Sequence, residues 1–252
     1  MANERLRDAL SGAGLVVQDI AAELGVDPKT VERWITQDRL PYPRHRQRLA
    51  ARLRESESYL WPTSVSDDRR AELSMSELVR VYPRRAEVLR EGWTRLIESA
   101  VRRIDVLVYA GLFFPEQQPE LAQILCDKVK AGSHVRLLMA RPDGEQVLRR
   151  GMEEGIGDAV VARVRNALSF YRPHAEHDCI EIRLHDTTLY NSIFRFDDEM
   201  LVNTHVFGIP AAHAPVLHLR RLDGGGLFSI YEESYRRVWE SAIPAWQHLQ
   251  PA

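Results

Sequence analysis

The stretch from Val17 to Ile35 constrains this chain more than any other. Val17, Ile20, Ala21 and Leu24 recur at i, i+3, i+4 and i+7, which gives a short helix one apolar face. Gly25 follows, where a helix C-terminus favours a residue at positive φ. Asp27 is a good N-cap for a second helix, and Pro28 is a good first residue of it. Val26 and Val31 have the spacing of a hydrophobic staple across that start. In the second helix Val31, Trp34 and Ile35 share the inward face, which leaves Lys29, Thr30, Glu32 and Arg33 outward near its beginning. Two short helices joined by a tight glycine turn are therefore expected, the second presenting polar side chains at its N-terminal end. That geometry suits insertion of a helix into a major groove.

Charge adds a second constraint. The whole chain is nearly neutral, with 34 Lys and Arg against 36 Asp and Glu, so no global field points to nucleic acid or to an anionic membrane. Residues 39–54 nevertheless contain Arg39, Arg44, Arg46, Arg48, Arg52 and Arg54 and no acid. That stripe is either a solvated helix face or a phosphate-facing surface. The two cysteines, Cys126 and Cys179, are too few for a disulfide framework and favour a reducing compartment. No apolar run approaches the roughly 18–20 residues that a membrane span needs, and the charged N-terminus is unlike a signal peptide. A cytoplasmic protein that makes no membrane contact is expected.

Residues 1–63 read as one domain, 64–80 as a polar, proline-broken linker and 81–252 as a second domain. In the second domain a helix through Trp93–Arg103 and another over about Pro119–Ala131 alternate with apolar strands. Those strands are Ile104–Ala110, Val135–Ala140, Ile180–Leu184, Ser192–Phe196, Leu201–Phe207 and Val216–Leu219. The fold class is α plus α/β or α+β. The apolar positions Tyr231, Tyr235, Val238, Trp239 and Trp246 are expected to be core.

Residues 3–61 resemble the helix-turn-helix of Cro/repressor-type bacterial transcription regulators. Ala21, Gly25, Val26 and the Val31/Trp34/Ile35 face match that pattern, while Val16 stands where the family places a Ser or Thr cap, a loss of about 1 kcal/mol. The resemblance implies a five-helix DNA-binding domain. Lys29, Thr30, Glu32 and Arg33 would then meet base edges, and Gln18, Arg39, Arg44 and Arg46 would hold phosphates. The partner would be a double-stranded operator bound by a homodimer, its half-sites about one helical turn apart.

Several features of the second domain bear on chemistry. His174-Ala175-Glu176-His177-Asp178-Cys179 fits none of the usual zinc spacings, so no metal is expected. Gly224-Gly225-Gly226, between a strand and a helix, reads as a flexible turn in preference to an anion cradle. The order of elements over about residues 82–243 resembles one repeat of the phospholipase D superfamily, an α/β sandwich. Its enzymes carry His-x-Lys-x4-Asp, followed by a strand with Ser and Asn. With Asp197 as the motif's Asp, Tyr190 falls on its His and Ser192 on its Lys, while Asn203 and Thr204 approximate the later strand. Anchoring on His185 puts Thr187 at Lys and Ser192 at Asp, a worse match. Either way the lysine is missing and there is a single copy, so no catalytic residue and no cofactor is expected.

Strand alternation puts Tyr190 with Ser192, Asn203 with His205, and His218 with Arg220 on shared faces. Either these faces converge on a cleft for a small anionic ligand such as a phosphate, sugar or nucleotide, with Arg141 contributing, or they are the solvent side of the sheet. The resulting expectation is a ligand-responsive transcription regulator. A DNA-tethered phosphodiesterase and a protein-binding adaptor are the rivals.

Overall fold

Capping chemistry organises the N-terminal helices. Asn3 caps α1 (Glu4–Gly12), its side chain accepting from the Leu6 N–H at 2.9 Å and donating to the Leu60 carbonyl at 2.7 Å. In this computed structural model, described for residues 2–64, 67–175 and 180–248, α2 (Val17–Leu24) ends at Gly25 with φ 67°, a conformation costly for a residue with a Cβ. Val16 has no side-chain acceptor to cap α2, but the Asp19 carboxylate reaches back to the Val16 N–H at 3.4 Å. In α3 (Pro28–Thr36), Asp27 accepts from the Lys29 N–H at 2.8 Å, and Pro28 opens the first turn. The helices α4 (Pro43–Leu53) and α5 (Glu57–Leu60) follow, with a 3-10 turn at Pro62–Ser64. Leu6, Leu10, Ile20, Ala21, Leu24, Val31, Trp34, Ile35, Leu49, Leu60 and Trp61 form one buried core beneath them.

The segment expected to be a linker is not one where it is described. Residues 67–77 form α6 (Asp67–Glu77), and β1 (Leu78–Tyr82) begins at the next residue. The helix survives its polar composition because its last turn is tied to a distant part of the chain. The buried Glu77 carboxylate accepts from the N–H groups of Leu227 at 2.7 Å and Phe228 at 3.2 Å, and the Ser74 hydroxyl accepts from Gly226 at 2.8 Å. The Gly224–Gly226 run is a turn whose N–H groups go to the Ser58 and Ser74 hydroxyls and the Leu222 carbonyl, and the residues flanking it, Leu222, Leu227 and Phe228, supply the N–H groups that hold Glu77. A Cβ at position 225 would collide with that carboxylate. Nearby, Arg221 pairs with Glu55 at 2.9 Å and lies over the Tyr59 ring, while Ser58 bonds to Asp223. By its contacts the chain divides into residues 1–77 with 221–229, and 78–220 with 230–252. Arg221–Ser229 therefore belongs with the helical unit, where the sequence had suggested an uninterrupted second domain.

The second unit is built on one eight-stranded sheet in the order β1-β7-β6-β5-β2-β3-β4-β8. Following β1 come a 3-10 turn at Arg85–Glu87, α7 (Arg90–Ser99), β2 (Arg103–Leu107), α8 (Phe113–Gln117), α9 (Leu121–Lys130) and β3 (His134–Ala140). Next are α10 (Glu145–Glu153), α11 (Ala159–Ala175) and β4 (Glu181–His185). β2, β3 and β4 run parallel, joined by helical crossovers, and are almost wholly buried, as parallel strands tend to be. β5 (Asn191–Phe196), β6 (Glu199–Thr204) and β7 (Val216–Arg220) then form an antiparallel meander, with a 3-10 turn at Ala211–His213. α12 (Leu227–Ser241), β8 (Ile243–Pro244) and α13 (Ala245–His248) complete the order. Tyr235, Val238 and Trp239 are buried, as expected of core, whereas Tyr231 and Trp246 are half-buried.

Two polar features lock this sheet. Asp105 on β2, 2% exposed, accepts from Arg136 on β3 at 2.8 Å and lies 3.6 Å from Arg195 on β5, which also pairs with Glu232. Asp197, at φ 53° in the β5–β6 turn, accepts backbone N–H bonds from Val101, Arg102 and Arg103 at 2.7–3.0 Å. Its carboxylate therefore clamps the entry to β2. It sits at the far end of β5 from Tyr190 and Ser192, five or more residues or about 17 Å along the strand. The motif alignment that joined Asp197 to those residues describes no site.

Candidate functional site

Two surfaces could carry function, one in each unit. In the helical unit the core grips α3 by Val31, Trp34 and Ile35, and this turns the opposite flank outward. Lys29, Glu32 and Arg33 are exposed and Thr30 is half-buried. Lys29 and Arg33 form no ion pair among the described residues. Gln18 is exposed near the start of α2. Arg39 is exposed beside the end of α3, its backbone N–H donating to the Arg33 carbonyl at 3.4 Å. Arg44 is exposed, and its Nε donates to the His45 Nε2 at 3.1 Å.

Arg46 is different. Its guanidinium pairs with Glu57 at 3.0 Å and donates to the Pro41 carbonyl at 3.0 Å, which joins α4 to α5 and takes it out of the expected phosphate set. Arg48 and Arg52 are likewise held, by the Glu23 carbonyl and carboxylate. The arginine stripe is thus only partly available, because acids remote in sequence consume part of it. An exposed Tyr42 just before α4 is an addition that sequence spacing did not single out.

The second surface is a cleft of about 310 Å³ in the sheet unit. It gathers Arg85 from the turn after β1, Tyr109 after β2, Arg150 on α10, Arg163 on α11, Ser192 on β5 and His205 just beyond β6. Its aromatic wall begins at Phe113, which packs in an edge-on cluster with Trp93 and Phe194. The Arg85 guanidinium lies 3.8 Å from the Phe113 ring centroid, and burial pushes its pKa down to about 10. Arg150, 4% exposed, is consumed by Glu154 at 2.7 Å and the Ile209 carbonyl at 3.0 Å.

Ser192 and His205 form the best-defined pair in the cleft. The His205 Nδ1–H donates to the Leu189 carbonyl at 3.1 Å, so Nε2 accepts from the Ser192 hydroxyl at 2.9 Å. Burial, reinforced by the charges of Arg150 and Arg85, lowers the His205 pKa to about 4 and keeps the ring neutral. Tyr109 stacks on His205 with ring centroids 5.5 Å apart and accepts from the Leu189 N–H at 2.9 Å.

The other expected ligand residues do not join this pair. Tyr190 is 79% exposed and offers only its carbonyl, to the His205 N–H. Asn203 is fully buried and donates to the Ala214 and Pro215 carbonyls, holding the approach to β7. His218 bonds to Glu199 at 2.7 Å, and Arg220 lies 3.6 Å from the same carboxylate. Arg141 pairs with Asp143 at 2.9 Å. The register explains the separation: Ser192 faces Asn203, but Leu201 faces His218 and Glu199 faces Arg220, so equal parity does not mean equal height along the strands. His185 is buried and satisfied, its Nε2–H on the Val108 carbonyl at 3.0 Å, with burial holding its pKa near 4.

Among the described residues no group of three or more His, Cys, Asp or Glu could hold a metal. His177, Asp178 and Cys179 of the considered cluster lie outside the described residues. No helix among the described residues is long and apolar enough to cross a membrane.

A mixed helical and sheet chain with an arginine-lined cleft in its sheet unit is the class these observations define. Residues 74–245 match the model of the domain of unknown function DUF5919, and the chain belongs to that family. No curated protein matches it. Among solved structures it is similar to TrmBL2, an archaeal chromatin protein whose structure is described as showing a novel mode of DNA binding. That similarity is 13% identity over 87% of this chain and 72% of TrmBL2, with a TM-score of 0.44. It is also similar to Nuc, a phospholipase D family member from Salmonella typhimurium. Here the identity is 12% over 60% of this chain and 86% of Nuc, with a TM-score of 0.34. Likenesses at this level assign neither fold nor function to the chain.

Proposed function

We propose that this protein is a sequence-specific DNA-binding transcription regulator whose sheet unit senses a small molecule. The observation that carries the reading is α3. One flank is held in the core by Val31, Trp34 and Ile35, and the other presents Lys29, Glu32 and Arg33 to solvent, with no ion pair for either cation among the described residues. Together with α2 and the Gly25 turn this is a helix-turn-helix, and Lys29, Thr30, Glu32 and Arg33 read base edges while Gln18, Arg39 and Arg44 hold phosphates. The protein acts as a homodimer on a pseudo-palindrome in the cytoplasm. Its sheet unit is a phospholipase-D-like repeat without the parent chemistry, since no His-x-Lys-x4-Asp run occurs in the sequence.

The test is selection of binding sites from random duplex DNA with the purified chain. A two-fold-symmetric consensus is expected, and recovery of no enriched sequence would defeat the reading. Arg33→Ala should weaken the selected site by about 1–3 kcal/mol and relax one base position.

One observation favours a second reading, a hydrolase: the Ser192 hydroxyl donates to a histidine oriented by the Leu189 carbonyl. Against it, a ring whose pKa sits near 4 is a feeble base at neutral pH. Turnover of generic phosphate or carboxylate esters that disappears in Ser192→Ala would favour the hydrolase.

A further inference from the structure

The cleft is electrostatically unfinished. Arg150 has its partners, but the half-buried Arg85 guanidinium forms neither a hydrogen bond nor an ion pair among the described residues. A guanidinium carries five N–H donors, and those of Arg85 that face the cleft are open to acceptors from a ligand. Arg163, on the facing helix, is exposed and also forms no ion pair among the described residues. Of the acids in the lining, Glu154 is bonded to Arg150 and acts on Arg85 only through space, so Glu154 and Glu116 stand against three arginines. The cleft is therefore short of negative charge.

The Ser192–His205 pair adds a second requirement. Because the Leu189 carbonyl fixes the His205 tautomer, the Ser192 proton points to Nε2, and the serine oxygen is left as an acceptor at the cleft. Only a donor can satisfy it. The surrounding arginines disfavour a cationic donor, and a ligand hydroxyl is a neutral donor that fits.

We propose that the cleft binds a small hydroxylated oxyanion, its phosphate or carboxylate group held by Arg85 and Arg163 and one of its hydroxyls donating to Ser192. This rests on the reading of the sheet unit as a sensor and gives that sensor its ligand chemistry. The aromatic face of Phe113 sets the Arg85 fork in place, so the anion meets a pre-oriented donor array. The volume of about 310 Å³ takes a ligand of sugar-phosphate or hydroxy-acid size.

The experiment is calorimetry and thermal unfolding of the full chain, without DNA, with ribose 5-phosphate, gluconate, ribose and inorganic phosphate as probes. Ribose 5-phosphate or gluconate is expected to bind and to raise Tm by a few degrees at about ten times Kd, with ribose inert and inorganic phosphate weaker. Which of the two binds tells phosphate from carboxylate. Arg85→Ala should lose about tenfold or more in affinity, Arg163→Ala a smaller factor, and Arg85→Lys should recover part of the loss. Arg163 is exposed, so its variant reports even if Arg85→Ala does not fold. The proposal is overturned if neither hydroxylated anion binds, if ribose binds as well as ribose 5-phosphate, if Arg85→Ala folds and binds like the parent, or if Arg163→Ala binds like the parent. A chain that binds these anions but selects no DNA sequence would defeat the regulator and leave the cleft assignment standing.

Discussion

The two units use arginine in opposite ways. In the helical unit Lys29, Arg33, Arg39 and Arg44 face solvent and form no ion pair among the described residues. In the sheet unit Arg136, Arg150 and Arg195 point inward and are consumed by Asp105, Glu154 and Glu232. Composition alone does not separate these roles, since both units are near neutral. The partner decides. An arginine paired with an acid of its own unit is architecture, and one that forms no ion pair is available to a ligand. Arg85, a half-buried residue of the sheet unit whose guanidinium forms no ion pair among the described residues, is the exception that marks the cleft.

The sharpest way to break this comparison is to remove an architectural arginine. Arg195→Ala would leave Asp105, 2% exposed, with a weakened set of cations and Glu232 without its guanidinium. A loss of about 3–5 kcal/mol is expected in denaturant unfolding of the full chain, against no measurable loss for Arg33→Ala. Equal stability of the two variants would erase the distinction.

Acid provides the next test. His185 and His205 both have folded pKa values near 4, below the ordinary 6.5, because burial disfavours their charged forms. The unfolded chain therefore takes up protons first as pH falls. The contribution of each histidine is whole above pH 6.5 and is lost as pH falls towards 4, on the order of 3 kcal/mol for His185 and less for His205. Unfolding midpoints measured between pH 7 and 5 should fall steadily, and His185→Gln should flatten the slope. A slope unchanged in that variant would mean that the ring is not buried neutral.

Glu77 sharpens the comparison from the helical side, where one acid replaces a ligand. Its carboxylate satisfies the first N–H groups of α12, so Glu77→Ala leaves them bare and should cost about 2–3 kcal/mol in thermal unfolding. Gly225→Ala should be comparably damaging, because the added carbon meets the carboxylate.

Legibility in the sequence follows the same division. The α2–α3 unit was readable because its signals are local: Gly25, Asp27 and Pro28 act on their immediate neighbours, and the apolar period of Val31, Trp34 and Ile35 needs no partner to be seen. The meander strands were readable by apolar runs. By contrast, α6 looked like a linker because what stabilises it, the N–H groups of Leu227 and Phe228, lies 150 residues away. The cleft was half legible. Ser192 and His205 were singled out by alternation and do meet, whereas Arg85, Tyr109, Arg150 and Arg163 come from four separate elements with no spacing to betray them. Alternation also overreached, grouping His218 and Arg220 with Ser192 when strand height separates them.

The smallest effect tests the rule most finely, because it compares two arginines two residues apart. Arg44 is exposed and Arg46 is tied to Glu57 and the Pro41 carbonyl. If partner geometry decides role, Arg44→Ala should weaken binding to every duplex alike and reduce the salt dependence by about one counterion, with stability unchanged. Arg46→Ala should do the reverse, costing about 0.5–1 kcal/mol of stability while leaving the affinity of the folded chain for DNA intact. A loss of affinity in Arg46→Ala equal to that in Arg44→Ala, measured below the melting range of both, would show that DNA can outcompete Glu57. An intrachain acid would then no longer suffice to remove an arginine from the reading surface.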